Sequence, residues 1–221
     1  MHESDGRPQK NERVSLVCFA LNEEAAPFRK MAAGRIGVHI LITGVGRKNA
    51  EHSLGEFLRT HSPGLVLTCG FAGGLTEELA PGAIVFETSD PTLRRGLAAR
   101  GAKPARFFCA ERIATTIAEK RELRQGTGAD AVEMESEAIQ AVCHERGIPC
   151  ATVRAISDAA GETLPLDFNR LMTPELQMDY RKLAGALLKS PGKIGALLKL
   201  QKQCKTAAEA LARVLAGIIP E

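Results

Sequence analysis

The strongest constraint on the fold is a repeated rhythm: a short apolar run, a turn, then a stretch with helical spacing. "RVSLVCFAL" (13–21), "IGVHILITGVG" (36–46), "GLVLTCGFAGGL" (64–75) and "GAIVFETSD" (82–90) are strand candidates. Between them, "NEEAAPFRKMA" and "RKNAEHSLGEFLRTHS" (47–62) place apolar residues at helical spacing, the second stopping before Pro63-Gly64. "AVCHERGIPCATVRAISDAAG" (141–161) adds a helix end, a Gly-Ile-Pro turn and a strand. Strands alternating with helices predict a mixed, mostly parallel central sheet with helices on both faces. The expected architecture is a three-layer α/β/α single domain over residues 13–173. A polar tail, 1–12, is expected to be disordered and lacks the apolar segment of a signal peptide. From 174 to 221 the pattern becomes that of amphipathic helices packed on the same domain.

Composition removes several classes of function. The chain has 29 Lys+Arg against 26 Asp+Glu, a net +3 with no dominant block, too little to argue for nucleic acid. One Tyr and no Trp leave little for base stacking. No apolar run reaches the roughly 18 residues of a membrane span. The six cysteines (Cys18, Cys69, Cys109, Cys143, Cys150, Cys204) fall singly, which predicts reduced thiols in a cytoplasmic protein and no metal site. The polar face of the last helix is basic (Lys193, Lys199, Lys202, Lys205, Arg213). Docking on the sheet explains that helix, and peripheral contact with a membrane or lipid is the alternative.

In a parallel sheet, ligands bind at the carboxyl ends of the strands. Four such ends carry unusual residues: Glu23 and Glu24; Gly44 and Gly46; Gly70, Gly73 and Gly74; Ser157 and Asp158. "GVGRKN" has two of the three glycines of a dinucleotide fingerprint and lacks the acidic residue about 20 positions on, so it reads as a strand–helix turn, not a cofactor site. Asp158, ending an apolar strand, is placed to act as a general acid or to cap the following turn. "GADAVEMESEAI" threads Glu133, Glu135 and Glu137 through apolar residues. Glu135 falls at the start of a helix, where the dipole favours its charge. Glu133 and Glu137 are expected to be a strand-end charge and a solvated helix-face charge, without a role.

Taken together, "ALNEEAAPF", "ITGVGRKNA", "LTCGFAGGLTEELAPGAIV" and "GADAVEMESEAIQAVCHERGIPCATVRAISDAAG" resemble the nucleoside phosphorylase / nucleosidase superfamily, in particular the methylthioadenosine/S-adenosylhomocysteine nucleosidases. The resemblance runs from about Val14 to Asp158. It implies cleavage of the N-glycosidic bond of a purine, expected to be adenine, nucleoside through an oxocarbenium-like sugar. Matched by motif, Asp158 protonates purine N7 and Glu24 activates water. Glu135 accepts the ribose hydroxyl hydrogens beside Met134 and a supporting Arg154. Gly44, Gly46, Gly70 and Gly73 line the sugar and nucleophile side. Arg112, Ile113 and Phe71, with Asp158, fall at the base pocket. The resemblance implies no cofactor, phosphate being a co-substrate if the enzyme is a phosphorylase, and homo-oligomers, commonly dimers.

Three departures bear on specificity. Phe71 stands where those nucleosidases have Ser, Arg112 where they stack a Phe on adenine, and the region 90–105 is shorter, which opens the 5′ side. The open side and the C-terminal tail also resemble the hopanoid-associated phosphorylases, which act on an adenosyl-substituted lipid. For that reading Arg47, after the Gly44/Gly46 turn, is the candidate phosphate contact; an exposed helix-start arginine is the simpler account. A non-catalytic nucleoside-binding or membrane-associated protein of the same fold is the remaining alternative.

Overall fold

The computed structural model describes residues 11–219. Residues 1–10 of the expected tail lie outside the described residues, whereas Asn11 and Glu12, expected in the tail, open the first strand. The elements are β1 (Asn11–Phe19), α1 (Asn22–Met31), β2 (Val38–Ile42), α2 (Arg47–Phe57), β3 (Pro63–Gly74), β4 (Ile84–Glu87), α3 (Pro91–Ala98), β5 (Lys103–Pro104), β6 (Phe107–Cys109), α4 (Ile117–Thr127), β7 (Ala131–Glu133), α5 (Ser136–Glu145), β8 (Cys150–Asp158), α6 (Tyr180–Lys189) and α7 (Ile194–Ile218).

The main sheet runs β2-β1-β3-β8-β4-β5, with β7 pairing β3 and β6 beside it. The β1–β2, β1–β3, β3–β8, β4–β5 and β6–β7 pairs are parallel; β4–β8 and β3–β7 are antiparallel. The sheet is therefore the expected mixed, mostly parallel kind. Strand β1 shows why its sequence lacks an alternating pattern. Successive side chains point to opposite faces, and both faces are covered. Val17 and Phe19 pack with Phe28 of α1 and Leu211 and Leu215 of α7. Leu16 and Cys18 pack with Leu54 of α2 and Ile139 and Cys143 of α5.

Helix α7 docks through Ala207, Ala208, Leu211, Ala212 and Leu215, a narrow stripe whose alanines let it lie close to the sheet. Its N-terminal half and its lysines face solvent. No described helix is long and apolar enough to cross a membrane. The helix expected from Pro174 begins only at Tyr180, where the Asp179 side chain accepts from the Arg181 and Lys182 N–H groups and caps it. Residues 172–178 form a tight strap instead, closed by a Met172–Met178 bridge.

Two backbone features shape the carboxyl edge. Strand β3 continues as Gly70–Gly74 beyond the end of β1, still paired with β8 as far as Gly73, and its end pairs with β7. Opposite, the pairing of β8 jumps from Ala72↔Ile156 to Gly73↔Asp158, leaving Ser157 as an extra residue. Such bulges re-aim side chains beside functional sites, and here the bulge precedes Asp158.

Candidate functional site

Because β1, β2, β3 and β8 are parallel, the four glycine- and acid-bearing strand ends meet on one edge. At its centre is Arg154, 1% exposed and the largest fully buried side chain among the described residues. Its guanidinium donates to Glu133 Oε2 (2.5 Å), Glu135 Oε2 (3.3 Å), Thr68 Oγ1 (3.2 Å) and the Cys69 carbonyl (2.8 Å). Glu24 approaches from the first turn of α1, accepting from Phe71 N–H (2.9 Å) and Leu21 N–H (3.0 Å). These groups meet over Gly70, whose φ of +145° an L side chain rarely adopts. A β-carbon there would stand 2.7 Å from both Arg154 Nη1 and Glu24 Oε1, so only glycine admits the approach.

Glu133 is not the surface charge its position in the sequence suggested. Its side chain is fully buried against Arg154. It also caps α5, accepting from Glu135 N–H (3.0 Å), Ser136 N–H (2.8 Å) and Ser136 Oγ (2.7 Å). The expectation failed because position along the chain does not show that Arg154, 21 residues on, lies beneath this strand end. Glu137 is exposed, as expected, and pairs with Arg47 at 2.5 Å.

One guanidinium thus faces three carboxylates, Glu133, Glu135 and Glu24. Burial opposes the Arg154 charge, but these carboxylates more than offset it and raise its pKa. Burial pushes Glu135 up to about 7; Arg154 opposes the shift and Glu133 adds to it. Burial also raises Glu24, against Arg154 and the main-chain N–H groups. Glu135 Oε1 accepts from Gly46 N–H (2.9 Å), which ties the β2–α2 turn to α5.

Asp158 lies 5% exposed at the end of β8. Ser157 Oγ donates to its Oδ1 (2.5 Å), while Oδ2 accepts no aligned hydrogen bond and instead faces the ammonium of Lys120 as an ion pair. Gly73 runs alongside, where a β-carbon would stand 3.5 Å from Asp158 Oδ2.

Above the carboxylates, Ala20, Val45 and Met134 form an apolar patch with Ile113, Met172 and Leu176 packed on it. The last two belong to the strap. Leu176, at φ +59°, puts its Cδ1 2.5 Å from where a β-carbon on Gly46 would be. Beside the strap, Asn169 clamps the main chain of Ile113. Its Oδ1 accepts from Ile113 N–H (2.9 Å) and its Nδ2 donates to the Ile113 carbonyl (2.9 Å).

The structure therefore gathers Glu24, Gly46, Gly70, Met134, Glu135 and Arg154 around one centre, with Gly73 beside Asp158 and Ile113 over Met134. Gly44 lines a cleft of about 400 Å³ between the β2–α2 turn and the strap. Three expected residues stand apart. Arg112 is exposed and ion-paired with Glu119. Arg47 is exposed on Glu137. The Phe71 side chain packs with the α1–α7 core and a groove between those helices, although its N–H holds Glu24. Sequence reasoning missed Glu133, Lys120 and Asn169. Lys120 gave no signal along the chain, because it is the one buried residue of α4 and no apolar face marks its position. No group of His, Cys, Asp or Glu among the described residues is arranged to hold a metal.

A family model described as "Phosphorylase superfamily" matches residues 87–189. A 5′-methylthioadenosine/S-adenosylhomocysteine nucleosidase of Anoxybacillus flavithermus is 27% identical over 208 residues, covering 71% of this chain and 90% of that protein. An aminodeoxyfutalosine nucleosidase of Campylobacter jejuni is 38% identical over 80 residues, 36% of this chain and 31% of the relative. Among solved structures, a Helicobacter pylori futalosine hydrolase superposes with a TM-score of 0.72 at 14% identity, covering 94% of this chain and 97% of the other. A Neisseria meningitidis 5′-methylthioadenosine/S-adenosylhomocysteine nucleosidase in complex with methylthio-immucillin-A gives 0.70 at 20% identity, covering 94% and 98%.

Proposed function

Because the chain belongs to the phosphorylase superfamily, as an enzyme of its nucleosidase/phosphorylase type, we propose that it hydrolyses the N-glycosidic bond of a 5′-substituted adenine nucleoside. One observation carries the choice of water over phosphate: three buried carboxylates share a single guanidinium. Excess negative charge stabilises the cationic sugar that forms as the C–N bond stretches. The same charge repels a phosphate dianion. The other candidate cation, Arg47, is already engaged by Glu137.

In this reading Glu135 accepts the ribose hydroxyl hydrogens and Arg154 fixes its orientation. Met134, Val45 and Ala20 wall the sugar. Glu24, raised by burial, is a stronger base than an exposed carboxylate and takes a proton from the attacking water. Asp158 delivers a proton to purine N7 from Oδ2, the oxygen that faces Lys120. The Ile113 N–H and carbonyl match N1 and the 6-amino group of adenine, an acceptor beside a donor. Asn169 presents that same pair, so its carboxamide stands in for the base edge and must swing aside with the strap as substrate enters. The cleft beside Gly44, Asn49 and Tyr180 then faces the 5′ substituent.

The test is adenine release from 5′-methylthioadenosine, S-adenosylhomocysteine and aminodeoxyfutalosine, each with and without phosphate. Hydrolysis at a phosphate-independent rate is expected for at least one. Strict dependence on phosphate would overturn water as the nucleophile. Asp158→Asn is expected to slow release by about 10²–10⁴-fold, the range of general acid catalysis; a full-speed variant would remove Asp158 from the chemistry.

A further inference from the structure

The charge that Asp158 meets comes from a residue none of the motifs contains. Lys120 is 0% exposed, the one buried lysine among the described residues. Its neighbours on α4, Glu119, Arg121 and Glu122, turn their charges toward solvent or the helix cap, while Lys120 points beneath the end of β8. Its ammonium donates to the carbonyls of Ala159 (2.6 Å) and Glu162 (2.8 Å), in the turn just after Asp158, and forms the ion pair with Asp158 Oδ2. An ammonium group has three hydrogens: two go to this turn, and the charge faces Asp158.

A structural staple would not need a charge. Two carbonyls can be satisfied by a neutral donor, whereas burying an ammonium costs several kcal/mol unless a counter-ion sits beside it. The carboxylate that pays this debt is the candidate acid, and it is contacted on the oxygen that carries no aligned hydrogen bond. Glu162 turns its carboxylate to Ala159 N–H and Lys199, and from α7 Cys204, whose thiol is pushed up to about 11 chiefly by burial, faces the same side.

We propose that Lys120 is a positioning residue that acts through Asp158: it holds the proton that Asp158 relays to the departing purine. The inference rests on the N-glycosidase reading above. As the C1′–N9 bond breaks, its electron pair passes into the purine ring. Lys120 passes a proton from its ammonium to the paired Asp158 carboxylate, and N7 takes that proton from Oδ2. The base leaves neutral, Asp158 ends as carboxylate and Lys120 as amine. Glu24 meanwhile gains a proton from the attacking water, and exchange with solvent after product release moves one proton back to Lys120. No oxidant or further reactant is required.

Two substrates separate this role from a structural one: 5′-methylthioadenosine, whose base needs a proton to leave, and 4-nitrophenyl β-D-ribofuranoside, whose nitrophenolate does not. Lys120→Arg keeps the charge and the packing, but a guanidinium does not give up a proton. It is expected to fold and to slow 5′-methylthioadenosine cleavage at least about 10²-fold, with nitrophenyl riboside cleaved within a few-fold of the parent rate. Lys120→Met is expected to give the same split, and adding Asp158→Asn to either should cost no further rate, because both residues serve one proton transfer. Equal losses on both substrates with a lowered Tm would make Lys120 a staple and overturn the proposal. So would a fully active Lys120→Arg. A parent protein that releases adenine from none of 5′-methylthioadenosine, S-adenosylhomocysteine and aminodeoxyfutalosine fails at the N-glycosidase reading itself and takes this inference with it, an outcome distinct from the variant results. If only one of the other two nucleosides is cleaved, it replaces 5′-methylthioadenosine in the comparison.

Discussion

Replacing Glu133 by glutamine separates three glutamates that look alike along the chain. Removing one partner of a buried ion pair costs about 3–5 kcal/mol because the other charge stays buried. Here the lower end applies, since Arg154 retains Glu135 at 3.3 Å and the nearby Glu24. The amide oxygen of glutamine can still accept from the Ser136 and Glu135 N–H groups, so much of the cap, worth about 1 kcal/mol, survives. A net loss of about 3 kcal/mol follows, and for a domain of this size that lowers Tm by about 6–12 °C at about 2–4 °C per kcal/mol. Glu137→Gln, which breaks only an exposed pair, should stay within about 0.5 kcal/mol of the parent. Urea and thermal unfolding of the two variants, followed by circular dichroism, make the comparison. If both lie within that same narrow range, Arg154 does not depend on Glu133 and the account of the cluster is wrong. A second readout is independent of stability. Glu133 helps hold the Glu135 pKa up, so Glu133→Gln should move the Glu135 titration to lower pH.

The pH dependence of stability has a definite sign. Burial first, then Glu133, raises Glu135 from 4.5 to about 7 against Arg154. The folded state therefore binds more protons than the unfolded between those values, so stability falls as pH rises through that window and levels above it. Denaturant midpoints at several pH values should show this slope, and it should shrink in Glu135→Gln. An unchanged slope in that variant would place the protonation elsewhere. Gly70→Ala should abolish activity and destabilise the fold, because its β-carbon would stand 2.7 Å from Arg154 Nη1 and Glu24 Oε1. Gly55→Ala, in α2 with nothing within 4 Å, should instead stabilise by about 0.5–1 kcal/mol; equal effects would mean that Gly70 is not the point of close approach. Asn169→Ala should free the Ile113 main chain and tighten adenine binding, measured by calorimetry. Unchanged or weaker binding would show that Asn169 does not compete with the base.

The sequence by itself determined the α/β architecture, because strands buried on both faces must be apolar throughout and glycines must punctuate their ends. It also marked Glu24 and Asp158 at strand ends and Glu135 at a helix start, while Arg154 was marked only by the motif resemblance. It misjudged Glu133, whose neighbours along the chain are apolar and whose partner Arg154 comes from another strand. It gave no weight to Lys120, on a helix whose burial depends on where the turn after β8 lands. It read the segment after Pro174 as helix, although Met172 and Leu176 fold over Met134 as a strap. Local pattern fixes which face of an element is apolar. Only the tertiary structure decided which buried charges answer one another, because ion pairing acts across space and leaves no periodicity along the chain.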